Sequence, residues 1–179
     1  RELHDRYGHI QEVIIQPFRP KPGTLMADHI GADDDELKWS IAVTRIIFGP
    51  EMSVQAPPNL SPDTEIELIA AGINDFGGVS PVTCDHVNPE APWPQLAVLK
   101  INTEQASKLL VARLPIYPRY ISADSGWVSP SIANALLRHV DASGLARTDN
   151  WVTGELTNAP FSVGQFMKAH KGSHIWHIE

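Results

Sequence analysis

The first part of the chain alternates between short apolar runs and longer runs with helical periodicity. Residues Glu12–Gln16 (EVIIQ) are rich in β-branched side chains and predict a strand. A helix is predicted over Asp33–Phe48, because apolar residues recur there every three or four positions and the acidic residues at its start suit the helix dipole. Gly49 and Pro50 then end this helix.

The next segment repeats this order. Ser53–Ala56 predicts a second strand, and Ser61 is predicted to cap a helix that has Pro62 at its first position and Gly72 just past its end. Ile73–Phe76 predicts a third strand. Successive strand–helix–strand units form parallel sheets, and ligands bind beyond the carboxyl ends of the strands. We therefore expect one face to carry the loops Gln16–Thr24, Pro57–Asn59 and Asn74–His86.

The pattern loosens after Pro94. We predict a helix over Gln95–Lys108, an extended stretch over residues 109–121 and a further helix over Pro130–Val140. From Thr148 onward the periodicity is weak, which indicates a linker or a poorly packed tail.

Composition narrows the class of protein. With 179 residues and 42% hydrophobic residues, the chain can bury the core of about one domain. Its net charge of −7 argues against nucleic-acid binding, and no apolar run is long enough to span a membrane. A single cysteine, Cys84, excludes a disulfide framework and a cysteine-built metal site within the chain. These features predict a protein of a reducing compartment, the cytoplasm.

Two stretches go beyond a generic α/β pattern. They are GHIQEVIIQPFRPKPGTLM, at residues 8–26, and INDFGGVSPVTCDHVNPEAPWP, at residues 73–94, with VQAPPNLSPDTEIELIAAG between them. Together they resemble the FO synthase family, and more narrowly its ring-closing half, 7,8-didemethyl-8-hydroxy-5-deazariboflavin synthase. The resemblance covers roughly residues 4–150, and the GGVSPVT–DHVNPEAPWP block is its most specific part.

The resemblance implies a fold. It is the C-terminal part of a partial, TIM-like (β/α) barrel of the radical S-adenosylmethionine class, followed by a C-terminal extension. Residues 1–92 would supply the last strands and helices of the barrel, residues 93–147 an extension that covers it, and residues 148–179 a linker or tail.

The resemblance also implies a reaction and its cofactors. The family is a group of lyases that cyclise a hydroxybenzyl–ribitylaminouracil adduct to the deazaflavin FO by radical chemistry, with release of ammonia. S-adenosylmethionine and a 4Fe-4S cluster held by a cysteine triplet supply the radical. No such triplet occurs here, so this chain alone is expected to be inactive.

We expect the chain to be a fragment of a longer protein. Its partners would be the N-terminal half of the barrel, a small-molecule substrate and an adduct-forming radical enzyme, either fused or separate. The tail, which carries Gly154, Pro160 and Gly164, suits an interdomain connector, and the gene is therefore expected to continue beyond Glu179 into a second radical domain.

Five polar residues near predicted strand ends are candidates for substrate binding. Asn74 and Asp75 adjoin two glycines, which would let backbone approach the ribityl chain or the pyrimidine. Gln16 and Arg19 lie at and after the end of the first strand, and Asn59 follows the second. The structural alternatives are that the Asn-Asp pair caps the following turn and that Arg19 is a solvated surface residue.

Asp85 and His86 are the candidates for catalysis. They place a carboxylate beside an imidazole in a proline-fenced loop, and ring closure with loss of ammonia requires proton movement. The alternative is a hydrogen bond that stabilises the loop. Cys84 is interpreted as a structural loop residue, and Trp93 as an anchor for the loop.

No metal site is predicted. Three histidines, His170, His174 and His177, have spacings of four and three that would suit a metal only on a helix, and they lie in the unpatterned tail. The competing function for the whole chain is a non-catalytic α/β module that binds a small molecule.

Overall fold

A computed structural model describes residues 1–121 and 125–148, together with the backbone of a strand at residues 174–178. The architecture is mixed α/β with a small parallel sheet, as the sequence predicts. In chain order the elements are α1 (Glu2–Tyr7), β1 (Glu12–Ile14), α2 (Asp34–Phe48), β2 (Ser53–Gln55), a 3₁₀ turn (Pro58–Leu60), α3 (Glu65–Ala71), α4 (Leu96–Gln105), β3 (Lys108–Ala112), α5 (Pro118–Ile121), α6 (Pro130–Leu137) and β4 (His174–Ile178).

Helix α2 confirms the prediction for this segment. The Asp33 carboxylate caps it by accepting a 2.7 Å hydrogen bond from the Glu36 N–H, and Gly49 ends it. Leu37 and Ile41 are buried on the face that meets the core. In the described part of the chain, no helix combines the length and the apolar character that crossing a membrane requires.

The three predicted strand segments do run parallel. β1 pairs with β2, with Val13 opposite Val54, and a single parallel bridge joins Gln55 to Asp75. The predicted third strand is therefore reduced to one bridge, because the chain turns at Gly77 (φ +73°) directly after it. Closure of this sheet into a barrel stays a prediction.

Helix α3 begins later than the sequence predicts. Asp63 adopts a left-handed conformation with φ +63°, so the backbone cannot continue as a helix from Pro62. The N-terminal cap position falls on Thr64, and its hydroxyl donates to the Ser61 carbonyl at 2.7 Å. Gly72 ends the helix as expected.

The second half of the chain contains two further corrections. Helix α4 ends at Gln105 instead of Lys108, because Ser107 has φ +58° and the chain then enters β3. The stretch predicted to be extended contains β3 and then a helical turn, α5, which begins at Pro118. Helix α6 stops at Leu137, short of the predicted end.

The tail contributes a strand that the sequence analysis does not predict. β4 pairs with β3 in parallel, with Lys108 opposite His174 and Ala112 opposite Ile178. The interpretation of this segment as a linker therefore misses these residues. His170 and the glycine- and proline-bearing part of the tail lie outside the described residues.

The hydrophobic core lies between β2 and helices α2, α3 and α4. Its largest fully buried side chains come from each of these elements and from the segments just before β2 and after α3. They include Ile41, Met52, Val54, Leu68, Ile73, Phe76 and Leu99. The core thus fixes the carboxyl end of β2, where the candidate residues lie.

Candidate functional site

The loops after β1, β2 and the Asp75 bridge converge on one face, as predicted. The Arg19 guanidinium donates a hydrogen bond to the Leu60 carbonyl, which joins the first loop to the second. Asn59 Nδ2 donates to Asp85 Oδ2 at 2.9 Å, which joins the second loop to the third. Lys21 pairs with Glu90 across the same face. The candidates Arg19, Asn59 and Asp85 therefore belong to one connected surface.

Asp85 organises the third loop. Its Oδ1 accepts from the backbone N–H groups of Val87 and Asn88, at 2.8 and 3.1 Å, and its Oδ2 accepts from the side chains of Asn59 and Asn88. Burial by itself would raise the pKa of Asp85, but these hydrogen bonds outweigh it and lower the pKa to about 2. The carboxylate is ionised at neutral pH and is a weak base, which suits a structural role better than proton transfer.

Asn59 is held by its amide nitrogen alone. Nδ2 donates to Asp85 Oδ2 and, at 3.2 Å, to the Ala91 carbonyl, both of which can only accept at neutral pH. The residue is 3% exposed, yet its Oδ1 is buried with no hydrogen-bond partner among the described residues. Asn59 therefore presents an acceptor that the described part of the chain leaves unmatched.

A pocket of about 310 Å³ opens at this face. It brings together two of the predicted substrate-binding residues, Arg19 and Asn59, with groups from the loop before α4. The full lining is Arg19, Asn59, Leu60, Pro62, Glu90, Ala91 and Pro92. The mixture of a cation, a carboxylate, an amide and apolar surface is typical of a small-molecule site.

Asp75 belongs to a second polar network, in which Asp75, Arg113 and Tyr117 are buried. Its Oδ2 accepts from Arg113 Nε at 2.7 Å and from the Tyr117 hydroxyl at 2.6 Å, while Oδ1 accepts from the Gly77 N–H at 2.7 Å. Glu12 Oε2 lies 3.1 Å from the same hydroxyl. Burial, and then the neighbouring Asp75 carboxylate, raise the pKa of Tyr117, so its hydroxyl stays protonated as a donor.

Asn74 ties β2 to the end of α2. Its Oδ1 accepts from Arg45 Nη2 at 2.9 Å and from the Val54 N–H at 2.8 Å. Arg45 also donates to the carbonyls of Gly72 and Met52, at 2.7 Å each. The structure thus gives Asn74 well-defined partners within the protein, and its contact with substrate stays a prediction.

The remaining candidates lie outside the pocket lining. Gln16 and His86 are both exposed, and Cys84 is an exposed free thiol. His86 follows Asp85 in the chain but makes no hydrogen bond to another described residue. Its role as a general acid or base stays a prediction.

Sequence reasoning missed Arg113, Tyr117 and Asn88. Arg113 lies in an apolar stretch, LLVARLPIY, and a charged residue in such a stretch is buried only when it is paired. That signal could have indicated a buried ion pair, although not its partner. Asn88 gave no signal apart from its place three residues after Asp85.

The described residues do not fit an iron–sulfur cluster. A 4Fe-4S cluster needs several thiolates, and the chain has one cysteine. In residues 1–121 and 125–148, no group of three or more His, Cys, Asp or Glu side chains is arranged to hold a metal ion. His174 and His177 lie in strand β4, so the helical spacing that a metal site would need is not present there.

Comparison with known proteins identifies relatives that match most of the chain. The chain is 49% identical over 151 residues to an FO synthase of Nocardia farcinica, which is 83% of this chain and 18% of that protein. It is 48% identical over 147 residues to the 7,8-didemethyl-8-hydroxy-5-deazariboflavin synthase of Methanopyrus kandleri, 82% of this chain and 43% of that protein. It is 45% identical over 177 residues to an FO synthase of Mycobacterium tuberculosis, 98% of this chain and 21% of that protein.

These matches show the class of protein to which the chain is related. It is a mixed α/β segment that is homologous to part of a group of synthases. The resemblance to FO synthase is therefore confirmed. The chain spans less than half the length of the curated relatives that it matches. No protein-family profile matches it, and no solved structure does.

Proposed function

We propose that this chain is the part of an FO synthase that shapes the substrate-facing end of the enzyme in deazaflavin biosynthesis. One observation carries the proposal: identity of 43–49% to FO synthases over 82–98% of the chain. The pocket at the carboxyl end of β2, where ligands bind in parallel α/β sheets, is consistent with it.

The proposed reaction is the radical-mediated cyclisation of a hydroxybenzyl–ribitylaminouracil adduct to FO, with release of ammonia. In this proposal the described residues bind and orient the substrate, with Arg19 and Asn59 at the pocket and Asp85 holding the loop. His86 is the remaining candidate for proton transfer, since it is exposed on the same loop.

In this proposal the described residues do not bind the cofactors. S-adenosylmethionine and a 4Fe-4S cluster belong to the proposed reaction, but the described residues offer no ligand set for the cluster. We propose that another part of the enzyme holds them, and that this part and an adduct-forming radical enzyme, fused or separate, are the partners of the segment.

The test is the conversion of the adduct by the complete synthase that contains this chain. The protein is reconstituted anaerobically with its cluster and supplied with S-adenosylmethionine, and FO is followed by its fluorescence and mass. Formation of FO with stoichiometric ammonia supports the proposal. Reconstituted enzyme that cleaves S-adenosylmethionine but yields no FO from the adduct contradicts it.

The competing function, a non-catalytic small-molecule module, is separated by the same preparation. A binding module would take up the adduct and return it unchanged, so equilibrium binding without turnover would favour it. His86→Gln adds a second discrimination, because a proton-transfer role predicts a lower kcat with little change in KM. An unchanged kcat would remove His86 from the catalytic residues.

A further inference from the structure

Unmatched polar atoms concentrate at the carboxyl end of β2. Of the four buried side-chain atoms without a partner among the described residues, three are Gln55 Oε1, Asn59 Oδ1 and Ser61 Oγ. A buried acceptor without a donor is costly, so such atoms are uncommon in folded proteins and require an explanation. Asn59 is the one of these three residues that also lines the pocket.

The orientation of the Asn59 carboxamide is fixed by chemistry. Rotating the amide by half a turn would place Oδ1 against the ionised Asp85 carboxylate and the Ala91 carbonyl, which are both acceptors. Nδ2 must therefore remain on that side, and Oδ1 must remain on the other. The low pKa of Asp85, about 2, means that this arrangement holds throughout the neutral range.

We propose that Asn59 is a specificity-determining residue whose Oδ1 accepts a hydrogen bond from an uncharged N–H or O–H group of the substrate, and that Asp85 is the positioning residue that orients it. This inference rests on the proposed function. The adduct supplies donors of both kinds, as the N–H groups of its uracil ring and the hydroxyls of its ribityl chain.

The charges around the pocket favour an uncharged donor. Arg19 and Glu90 both line it, and Glu90 is already paired with Lys21, so the lining offers a cationic ligand no carboxylate that is not already paired. A ligand ammonium would gain little from such a wall, whereas a neutral donor satisfies Oδ1 without an unpaired charge.

The first test is Asn59→Ala in the complete synthase. Losing a buried acceptor for a substrate donor is expected to raise KM roughly tenfold to a hundredfold, with kcat within about twofold of wild type. The matched control is Asn102→Ala, since Asn102 bonds Glu65 from helix α4 and neither residue lines the pocket. The control should leave both constants unchanged. An unchanged KM in Asn59→Ala overturns the inference.

Substrate analogues identify the donor. One set of analogues carries an N-methyl group on either uracil nitrogen, and a second set lacks each ribityl hydroxyl in turn. Wild-type enzyme should lose affinity for one of them, and Asn59→Ala should bind that analogue and the parent adduct alike. If wild type binds every analogue as tightly as the adduct, Oδ1 contacts no substrate donor and the inference is overturned, even if Asn59→Ala does not fold.

The positioning role of Asp85 has its own readout. Asp85→Asn places an amide beside Asn59 and lets the Asn59 carboxamide turn, so discrimination between the adduct and the analogue should weaken. A merely structural role would lower activity on both compounds equally, and that result overturns this part. If the wild-type enzyme produces no FO, the proposed function is contradicted. If it produces FO but the variants discriminate between the adduct and the analogue as wild type does, only the inference is contradicted.

Discussion

The network around Asp75 and the loop cluster around Asp85 both surround a carboxylate with donors, but they differ in completeness. Asp75 and Arg113 are 0% and 2% exposed, and each oxygen of Asp75 accepts at least one hydrogen bond. The Asp85 cluster faces a pocket and leaves Asn59 Oδ1 unmatched. Complete matching is what a structural junction needs, while an unmatched acceptor beside a pocket is what a ligand can use.

The largest effect should come from breaking the saturated network. Arg113→Ala leaves the Asp75 carboxylate buried without its cation, which is expected to cost about 3–5 kcal/mol in the free energy of unfolding. Urea unfolding of the complete protein measures it. Lys100→Ala is the control, because the Lys100–Glu104 pair is exposed and should cost below about 1 kcal/mol. Equal losses for the two variants would show that the network is not structural.

A smaller loss is expected at the turn that follows Asp75. Gly77 has φ +73°, and a Cβ there would overlap the side-chain amide of Gln55, lying 2.7 Å from its Cδ. Gly77→Ala should therefore destabilise by about 1–3 kcal/mol. Adding Gln55→Ala should recover part of the loss, and the remainder measures the backbone strain. Purely additive losses in the double variant would refute the proposed overlap.

The contribution of the loop cluster around Asp85 to stability should depend on pH. Because the folded pKa of Asp85 is lowered to about 2, its hydrogen bonds stabilise the protein above the unfolded pKa of about 3.9 and are lost as the pH falls through about 2. Asp85→Asn should flatten stability against pH within this window, while Asp28→Asn, at an exposed position, serves as the control. Titration of Asp85 near pH 4, followed by carboxyl NMR, would contradict the arrangement.

The smallest effect is expected at the rim of the pocket. Lys21 and Glu90 form an exposed ion pair, with side chains 30% and 60% exposed. Lys21→Ala should cost less than about 1 kcal/mol, and the cost should shrink further in high salt. Thermal unfolding at two ionic strengths measures it. A salt-independent loss of stability as large as that of Arg113→Ala would mean that the Lys21–Glu90 pair stabilises the protein as much as the Asp75 network does.

Local chemistry explains how much the sequence could predict. The Asp33 cap and the Gly49 end are signals that lie next to the helix in the sequence. Helix α2 is therefore predicted to within one residue. The start of α3 is not predicted correctly, because no feature of the sequence indicates that Asp63 adopts a left-handed conformation. Asn59 and Asp85 were predicted singly, as loop residues on one face, but their hydrogen bond depends on tertiary packing.

Distance along the chain explains the larger misses. Arg113 meets Asp75 across 38 residues, and no local pattern encodes such a partner. Strand β4 pairs with β3 although its own segment has little periodicity, since the pairing is supplied by the neighbouring strand. Both failures concern contacts that only the folded chain creates.

The span of the buried network also bears on how the protein is made. Tyr117 contacts Glu12 across 105 residues, so the junction cannot form until the later residue has left the ribosome. At synthesis rates of about 5–20 residues per second, Glu12 waits roughly 5–20 seconds for its partner. Once Asp75 has been synthesised, its carboxylate stays hydrated until Arg113 and Tyr117 have also emerged. The speed of translation thereby sets how long this buried network remains unformed.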